Sequence, residues 1–246
     1  MSYASFRFYG ELNDFLPSEN IGVIIKCTFE GTPSVKHLVE ALGIPHTEVR
    51  HLLANNGGVE LSYLVQEGDE IEVYPVSICL AGVPELNYAH LSLDDARFIL
   101  DNHLGRLATY LRMMGFDTLY RNDYQDQQLA ELCKMEDRLL LTRDQHLLMR
   151  SAIRRGYWVR AKIPRQQLVE VLDRFGLVEF VRPFKRCLRC NGTLQPIPKQ
   201  DVLDRLQPLT RLYYDEFHIC PDCNQVYWKG SHYERMLRLV EGVIQT

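Results

Sequence analysis

Two C-x-x-C pairs, Cys187-x-x-Cys190 and Cys220-x-x-Cys223, stand 29 residues apart and constrain the last quarter of this chain more tightly than any other feature. Four thiolates at this spacing suit a tetrahedral zinc site, and four cysteines leave no coordination position open for a substrate. The spacing therefore predicts a structural zinc ribbon over residues 183–246. His218 and His232 lie close in sequence, but with four thiolates present they are expected on the surface or at a core edge. Cys27, Cys79 and Cys133 stand in apolar strand or helix contexts and are expected in the core. Seven cysteines, an odd number with four in metal-type pairs, suit a reducing compartment better than a disulfide framework. The cytoplasm is the expected location. No apolar run approaches the roughly 20 residues that a bilayer span needs, and no signal-peptide core is present at the start.

The middle of the chain alternates strand and helix signals. Arg97–Leu100, Asp117–Tyr120, Arg138–Thr142 and Tyr157–Arg160 read as short strands. Between them, Leu104, Leu107, Ala108 and Leu111 recur at helical spacing until Gly115, and Leu129, Leu132 and Cys133 mark a second helix over 127–136. A short helix starts at Gln145, and Pro164 opens the last, with Leu168, Val171 and Leu172 inward. Alternation of this kind implies α/β architecture, a parallel sheet with helices on both faces, whose functional crevice lies beyond the carboxyl ends of the strands.

That geometry gives the acids their meaning. Asp101 follows the first of these strands directly and Asp144 follows the third by two residues, so both should emerge at one rim. Asp126, and more weakly Asp123, precede the second helix at the same rim. Carboxylates crowded there would repel one another unless a cation compensated, and Mg²⁺ or Mn²⁺ held by carboxylates and water can activate a water for attack on a phosphodiester. The plainer reading is that Asp101, Asp126 and Asp144 are helix N-caps, each standing before a helix signal.

Formal charge is −4 overall, with 11 acids and 4 bases over residues 1–80, 14 of each over 81–180, and 7 acids and 10 bases over 181–246. Between Asp144 and Glu170 lie Arg150, Arg154, Arg155, Arg160, Lys162 and Arg165 with no acid. Such a stripe is a solvated face unless a cleft adjoins it, in which case it suits phosphates. Around the cysteines, Arg182, Lys185, Arg186 and Arg189 interleave with Tyr213, Tyr214, Phe217, Tyr227 and Trp228, a mixture that suits single-stranded RNA or, equally, a small aromatic core.

Residues 1–80 read as two strands, at Ala4–Tyr9 and Val23–Phe29, a helix opened by Pro33 and Ser34 and stopped by Gly43, and a closing strand at Ile71–Val76. This order resembles the ubiquitin-like β-grasp of small sulfur-carrier proteins. Those carriers act through a free C-terminal Gly-Gly, whereas here the strand runs into Ser77, Ile78 and further chain, so a docking role for a protein partner is expected instead. Ala81-Gly82-Val83-Pro84-Glu85 reads as a linker.

The blocks Phe98-Ile99-Leu100-Asp101-x-x-Leu104-Gly105, Leu139-Leu140-Leu141-Thr142-Arg143-Asp144, Cys187-Leu188-Arg189-Cys190-Asn191-Gly192 and Val226-Tyr227-Trp228-Lys229-Gly230 occur in an order that resembles the Mut-seven C-terminal RNase family. The resemblance covers essentially the whole chain. It implies a ubiquitin-like domain over 1–80, a PIN-like RNase domain over 95–180 and a zinc ribbon over 183–246. It further implies a metal-dependent ribonuclease whose acidic positions match Asp101, Asp126 and Asp144, with Mg or Mn catalytic and Zn structural. Arg143, Arg154 and Arg155 are the expected substrate-binding residues and RNA, single-stranded or structured, the expected partner. Asn102 and Arg106 depart from the pattern, standing where the family often carries an acid or a lysine. The alternative is a non-catalytic RNA-binding or adaptor protein.

Overall fold

A computed structural model describes residues 1–86 and 96–244. The expected domain boundary at residue 95 lies outside the described residues. In the first unit, β1 (Ser2–Phe8) pairs antiparallel with β2 (Ile25–Phe29). The helix α1 (Val35–Ala41) starts where the Ser34 hydroxyl accepts the His37 N–H at 3.3 Å. Then come β3 (Val49–Ala54), the two-residue β4 (Gly57–Gly58) and β5 (Glu70–Pro75). The sheet order is β2-β1-β5-β3-β4, with β1 and β5 parallel at the centre. Val35, Leu38 and Val39 pack with Phe6, Ile71 and Val73 in one core, so the helix lies across the sheet as in a β-grasp.

β3 has no counterpart in the sequence reading because its apolar pattern is interrupted by Arg50 and His51, both buried. Arg50 donates to the Val76 carbonyl at 3.1 Å and to Glu85 at 2.7 Å, while His51 bonds the Pro84 carbonyl at 2.9 Å and accepts the Leu80 N–H at 3.0 Å. The stretch that reads as a linker is thus folded back on the first sheet, and Leu86 N–H reaches the Arg50 carbonyl. Of the three cysteines expected in the core, Cys133 is buried, Cys27 is half-buried and Cys79 is exposed.

The second unit runs β6 (Arg97–Leu100), α2 (Gly105–Met114), β7 (Asp117–Tyr120), α3 (Asp126–Glu136), β8 (Leu139–Thr142), α4 (Gln145–Leu148), β9 (Gly156–Trp158) and α5 (Pro164–Arg174). Its four strands are all parallel, in the order β7-β6-β8-β9. Alternation sends Phe98, Leu100 and Leu141 to one face, against α2 and α5, and Ile99 and Leu140 to the other, against α3 and α4. β9 is an edge strand. Its Trp158 N–H is taken by the carboxylate of Glu48, 1% exposed, at 2.7 Å, and the Phe15 and Trp158 rings lie 4.9 Å apart. Arg160 pairs with Asp14 at 2.8 Å and His46 reaches the Ile153 carbonyl at 2.9 Å. The β-grasp therefore covers the open edge of the parallel sheet.

The last unit contains β10 (Gln195–Ile197), α6 (Pro208–Tyr213), β11 (Phe217–Ile219), β12 (Val226–Trp228) and α7 (Ser231–Ile244). The three strands form an antiparallel sheet, β10-β11-β12, over a small core of Val202, Leu206, Phe217 and Val226. α7 returns to the parallel sheet and puts Val240 and Val243 into the core shared with α2 and α5. No helix among the described residues is long and apolar enough to cross a membrane.

Candidate active site

In the order β7-β6-β8-β9 the chain leaves β6 toward one side and enters β8 on the other, so the carboxyl ends of β6 and β8 flank a topological switch point, where open α/β sheets bind ligands. Asp101 stands there, 5% exposed. Its Oδ1 accepts the His103 N–H at 2.8 Å, and its Oδ2 accepts the Arg143 N–H at 3.1 Å and the Thr142 hydroxyl. The Thr142 hydroxyl oxygen in turn accepts the Asp144 N–H at 2.9 Å. Asp144 Oδ1 accepts the N–H groups of His146 and Leu147 at 2.9 and 3.4 Å, which caps α4. One hydroxyl thus ties the two acids together across the switch point. The turn after Asp101 is held by Tyr120, whose hydroxyl donates to the Asn102 carbonyl at 3.1 Å. Gly105 makes room for that ring, since a Cβ there would sit 2.6 Å from the hydroxyl.

Asp126 is placed differently. It is the first residue of α3, where Gln125 and Gln128 form the cap, and its Oδ2 lies 3.3 Å from Arg150 Nη2. Among the described residues the three carboxylates do not gather within 4.8 Å of one another. The Asp101 carboxylate and the Asp144 backbone are thus linked through Thr142, while Asp126, at the start of α3, is answered by Arg150. Asp123 is likewise occupied, by Arg121 at 2.7 and 2.9 Å.

The basic stripe does not form one face. Arg150 meets Asp126, Arg160 meets Asp14 and Glu48, and Arg155, 8% exposed, meets Asp137 at 3.5 Å. Arg155 is thus buried beside Asp137, whereas Arg154 is exposed. Arg143 does face the rim, giving one N–H to the Ala161 carbonyl at 3.0 Å. With it, His103, Arg106, Lys162, Pro164 and Gln167 line a cavity of about 470 Å³. Of these, Lys162 belongs to the basic stripe read from sequence and Arg106 to the departures from the family pattern, whereas His103 has no sequence reading. The signal for His103 is present only as spacing, because it follows Asp101 by two residues.

The four ribbon cysteines meet the sequence expectation. Their sulfurs lie within 4.8 Å of one another, with Cys187–Cys223 at 3.5 Å and Cys190–Cys220 at 3.3 Å. Zn–S bonds of about 2.3 Å in a tetrahedron place sulfurs about 3.8 Å apart, so this set can hold structural zinc. Each pair sits on a knuckle closed by Asn191 N–H to the Cys187 carbonyl and Asn224 N–H to the Cys220 carbonyl, with both asparagines in the left-handed region. Burial lifts the Cys187 thiol, but the Tyr227 hydroxyl at 3.1 Å and the N–H groups of Cys190 and Arg189 outweigh it and bring its pKa down to about 7. His218 and His232 stand outside the cluster. The aromatics divide: Phe217 is core, while Tyr213 is 69% and Trp228 37% exposed.

The first knuckle is joined to the parallel sheet. Arg112 on α2 donates to the Leu188 and Arg189 carbonyls at 3.2 and 3.1 Å, and Asn191 bonds both the Thr118 N–H at 2.9 Å and Asp117 at 2.8 Å. A parallel α/β unit with paired acids at its switch point, fused to a four-cysteine ribbon and covered by a β-grasp, has the organisation of a nuclease-type protein with a ubiquitin-like appendage. The chain belongs to the Mut7-C family: the Mut7-C RNAse domain matches residues 96–240, and the Mut7-C ubiquitin domain matches residues 1–80. Comparison with curated proteins gives no match. Among solved structures, the small archaeal modifier protein 1 of H. volcanii is similar at 16% identity over 30% of this chain and 98% of that one, with a TM-score of 0.25.

Proposed function

We propose that this protein is a metal-dependent ribonuclease that hydrolyses RNA phosphodiester bonds at the rim between β6 and β8. The observation that carries the reading is the pairing of Asp101 and Asp144 through Thr142 at the switch point of a domain matched by an RNase family. A carboxylate offers about four lone-pair sites, so Asp101 and Asp144 retain acceptor capacity beyond the bonds they make. Mg²⁺ commonly keeps several waters and takes only one or two protein carboxylates, so a donor set of two acids fits it without a tight triad. Asp101 and Asp144 are the residues that would hold Mg²⁺ or Mn²⁺, which when bound supplies Lewis acidity toward phosphorus and a water of lowered pKa. Asp126 is assigned as a supporting acid, released from Arg150 when substrate or metal is present. Thr142 links the Asp101 carboxylate to the backbone of Asp144, and Arg143, anchored through its N–H to Asp101 and its side chain to Ala161, offers its remaining guanidinium donors to a phosphate. Zinc at the four cysteines fixes the knuckle that Arg112 and Asn191 join to the sheet. The ubiquitin-like unit, besides covering β9, is assigned to docking a protein partner.

The experiment is cleavage of labelled single-stranded RNA by the full chain with Mn²⁺, with Mg²⁺ and with neither. Metal-dependent cleavage that falls at least a hundredfold in both Asp101→Asn and Asp144→Asn supports the site; full activity in either variant contradicts it. A second reading, a non-catalytic RNA-binding or adaptor protein, draws on the fact that Asp101 and Asp144 accept turn and helix N–H groups while Asp126 has Arg150. It predicts salt-dependent RNA binding with no metal-dependent cleavage.

A further inference from the structure

We propose that the cavity beside Asp101 is a phosphate-binding subsite that holds the sugar-phosphate backbone of RNA, with Arg106 and Lys162 as its principal cations beside Arg143 and His103. The inference deepens the nuclease reading and rests on it for its place in a reaction.

Four separate segments bring positive or protonatable groups to this one cavity. His103 comes from the turn after β6, Arg106 from α2, Arg143 from the end of β8, and Lys162 from the approach to α5. No carboxylate lines it. In the rest of the basic stripe Arg150, Arg155 and Arg160 each have an acidic partner, and Arg154 and Arg165 do not line this cavity. Arg106, Arg143 and Lys162 have no ion pair among the described residues, and Arg106 and Lys162 are exposed. Three unanswered cations around one cavity repel one another and make it a standing anion site.

The walls are fixed. Gln167, nearly buried, donates to the Ala161 carbonyl at 3.0 Å, the same oxygen that receives Arg143, so the loop carrying Lys162 is pinned from two sides. α5 begins at Pro164 with no side-chain cap, which leaves its positive end toward the cavity. On the opposite side the backbone N–H groups of His103 and Arg143 are both bonded to Asp101, so the cation cavity and the principal acid share two residues. A phosphate held by Arg106 and Lys162 is therefore a neighbour of whatever ester lies at Asp101. No Phe, Tyr or Trp lines the cavity and its wall is dominated by cations, so it grips the backbone rather than a base and is indifferent to sequence.

The test is fluorescence anisotropy of a labelled ten-nucleotide single-stranded RNA against the full chain, in buffer without added divalent cation so that metal-dependent cleavage does not run. Arg106→Ala and Lys162→Ala are each expected to weaken binding about tenfold and to reduce the slope of log K against log salt by about 0.7, one phosphate contact each. Arg106→Lys is expected to restore most of the affinity. Lys134→Ala, an exposed cation on α3, is expected to change nothing. Oligomers with a 5′-phosphate and a 5′-hydroxyl should bind equally, and dependence on the terminal phosphate would overturn the assignment to the backbone. Unchanged affinity and salt slope in an Arg106→Ala/Lys162→Ala double variant would overturn the subsite itself, even if the wild type cleaves RNA. Weakened binding in these variants together with a wild type that never cleaves would sustain the subsite and remove only the nuclease reading.

Discussion

Thr142 is the residue through which the two aspartates at the rim are joined. Its hydroxyl donates to Asp101 and accepts the Asp144 N–H, so replacing it by valine keeps the shape and removes both bonds. Thr142→Val is expected to lower unfolding stability by roughly 1 to 3 kcal/mol in urea titrations, with Thr142→Ser losing much less. A second residue, Asp117, is set among Arg138 at 2.7 Å, Asn191 at 2.8 Å and Arg186 at 3.5 Å. Burial raises its carboxyl, but the bonds from Arg138 and Asn191 and the Arg186 charge outweigh that and hold its pKa below the ordinary aspartate range. A depressed folded pKa means stability that is present above the unfolded value, about 3.9, and is lost as pH falls through the folded one. Asp117→Asn should therefore destabilise the protein at pH 7 and flatten the acid limb of its stability curve, measured by thermal melts from pH 7 down to pH 3.

At the scale of elements, the cysteine knuckles are the ones that could hold a metal. Elemental analysis should find one zinc per chain in the purified protein, and Cys220→Ser should lose most of it. Chelation should lower the melting temperature of the parallel sheet as well as the ribbon, because Arg112 and Asn191 join the first knuckle to α2 and β7. A melting curve for the sheet that ignores chelator would contradict that coupling. The elements legible in sequence are those whose apolar pattern is short and bounded: β6 ends just before Asp101, α2 just before Gly115, and β8 at Thr142. β3 was not legible, because Arg50 and His51 interrupt its pattern and are satisfied by carbonyls and a carboxylate some 26 to 35 residues away. α7 carries Met236, Leu239, Val240 and Val243 at helical spacing, and this face packs on the preceding unit, a pairing that the ribbon's own cysteine pattern does not signal. The rim acids were legible as to side of the sheet and not as to distance. Strand order sends Asp101 and Asp144 to the switch point, whereas Asp126 finds its partner in Arg150, 24 residues further along the chain. Which cations are free was equally hidden, since Arg160 finds Asp14 from 146 residues away.

For the whole molecule, the three units share interfaces that a simple chain of domains would lack. The β-grasp supplies Glu48, Asp14, His46 and Phe15 to the edge at β9, so a chain starting at Ala96 would expose Trp158, the Ile153 carbonyl and an unpaired strand. Such a truncation is expected to aggregate or melt earlier than the full chain, as light scattering and calorimetry would show; a monodisperse fragment of unchanged melting temperature would refute a structural role for that unit. The same assembly leaves the β6–β8 rim, with its two linked acids and its cation cavity, as the place where RNA chemistry would occur. The most direct measurement is anomalous diffraction from crystals of the full chain grown with Mn²⁺. A manganese peak bonded, directly or through water, to the carboxylates of Asp101 and Asp144 is expected; crystals that bind manganese elsewhere, with those two acids still holding only their present partners, would contradict the metal site proposed at this rim.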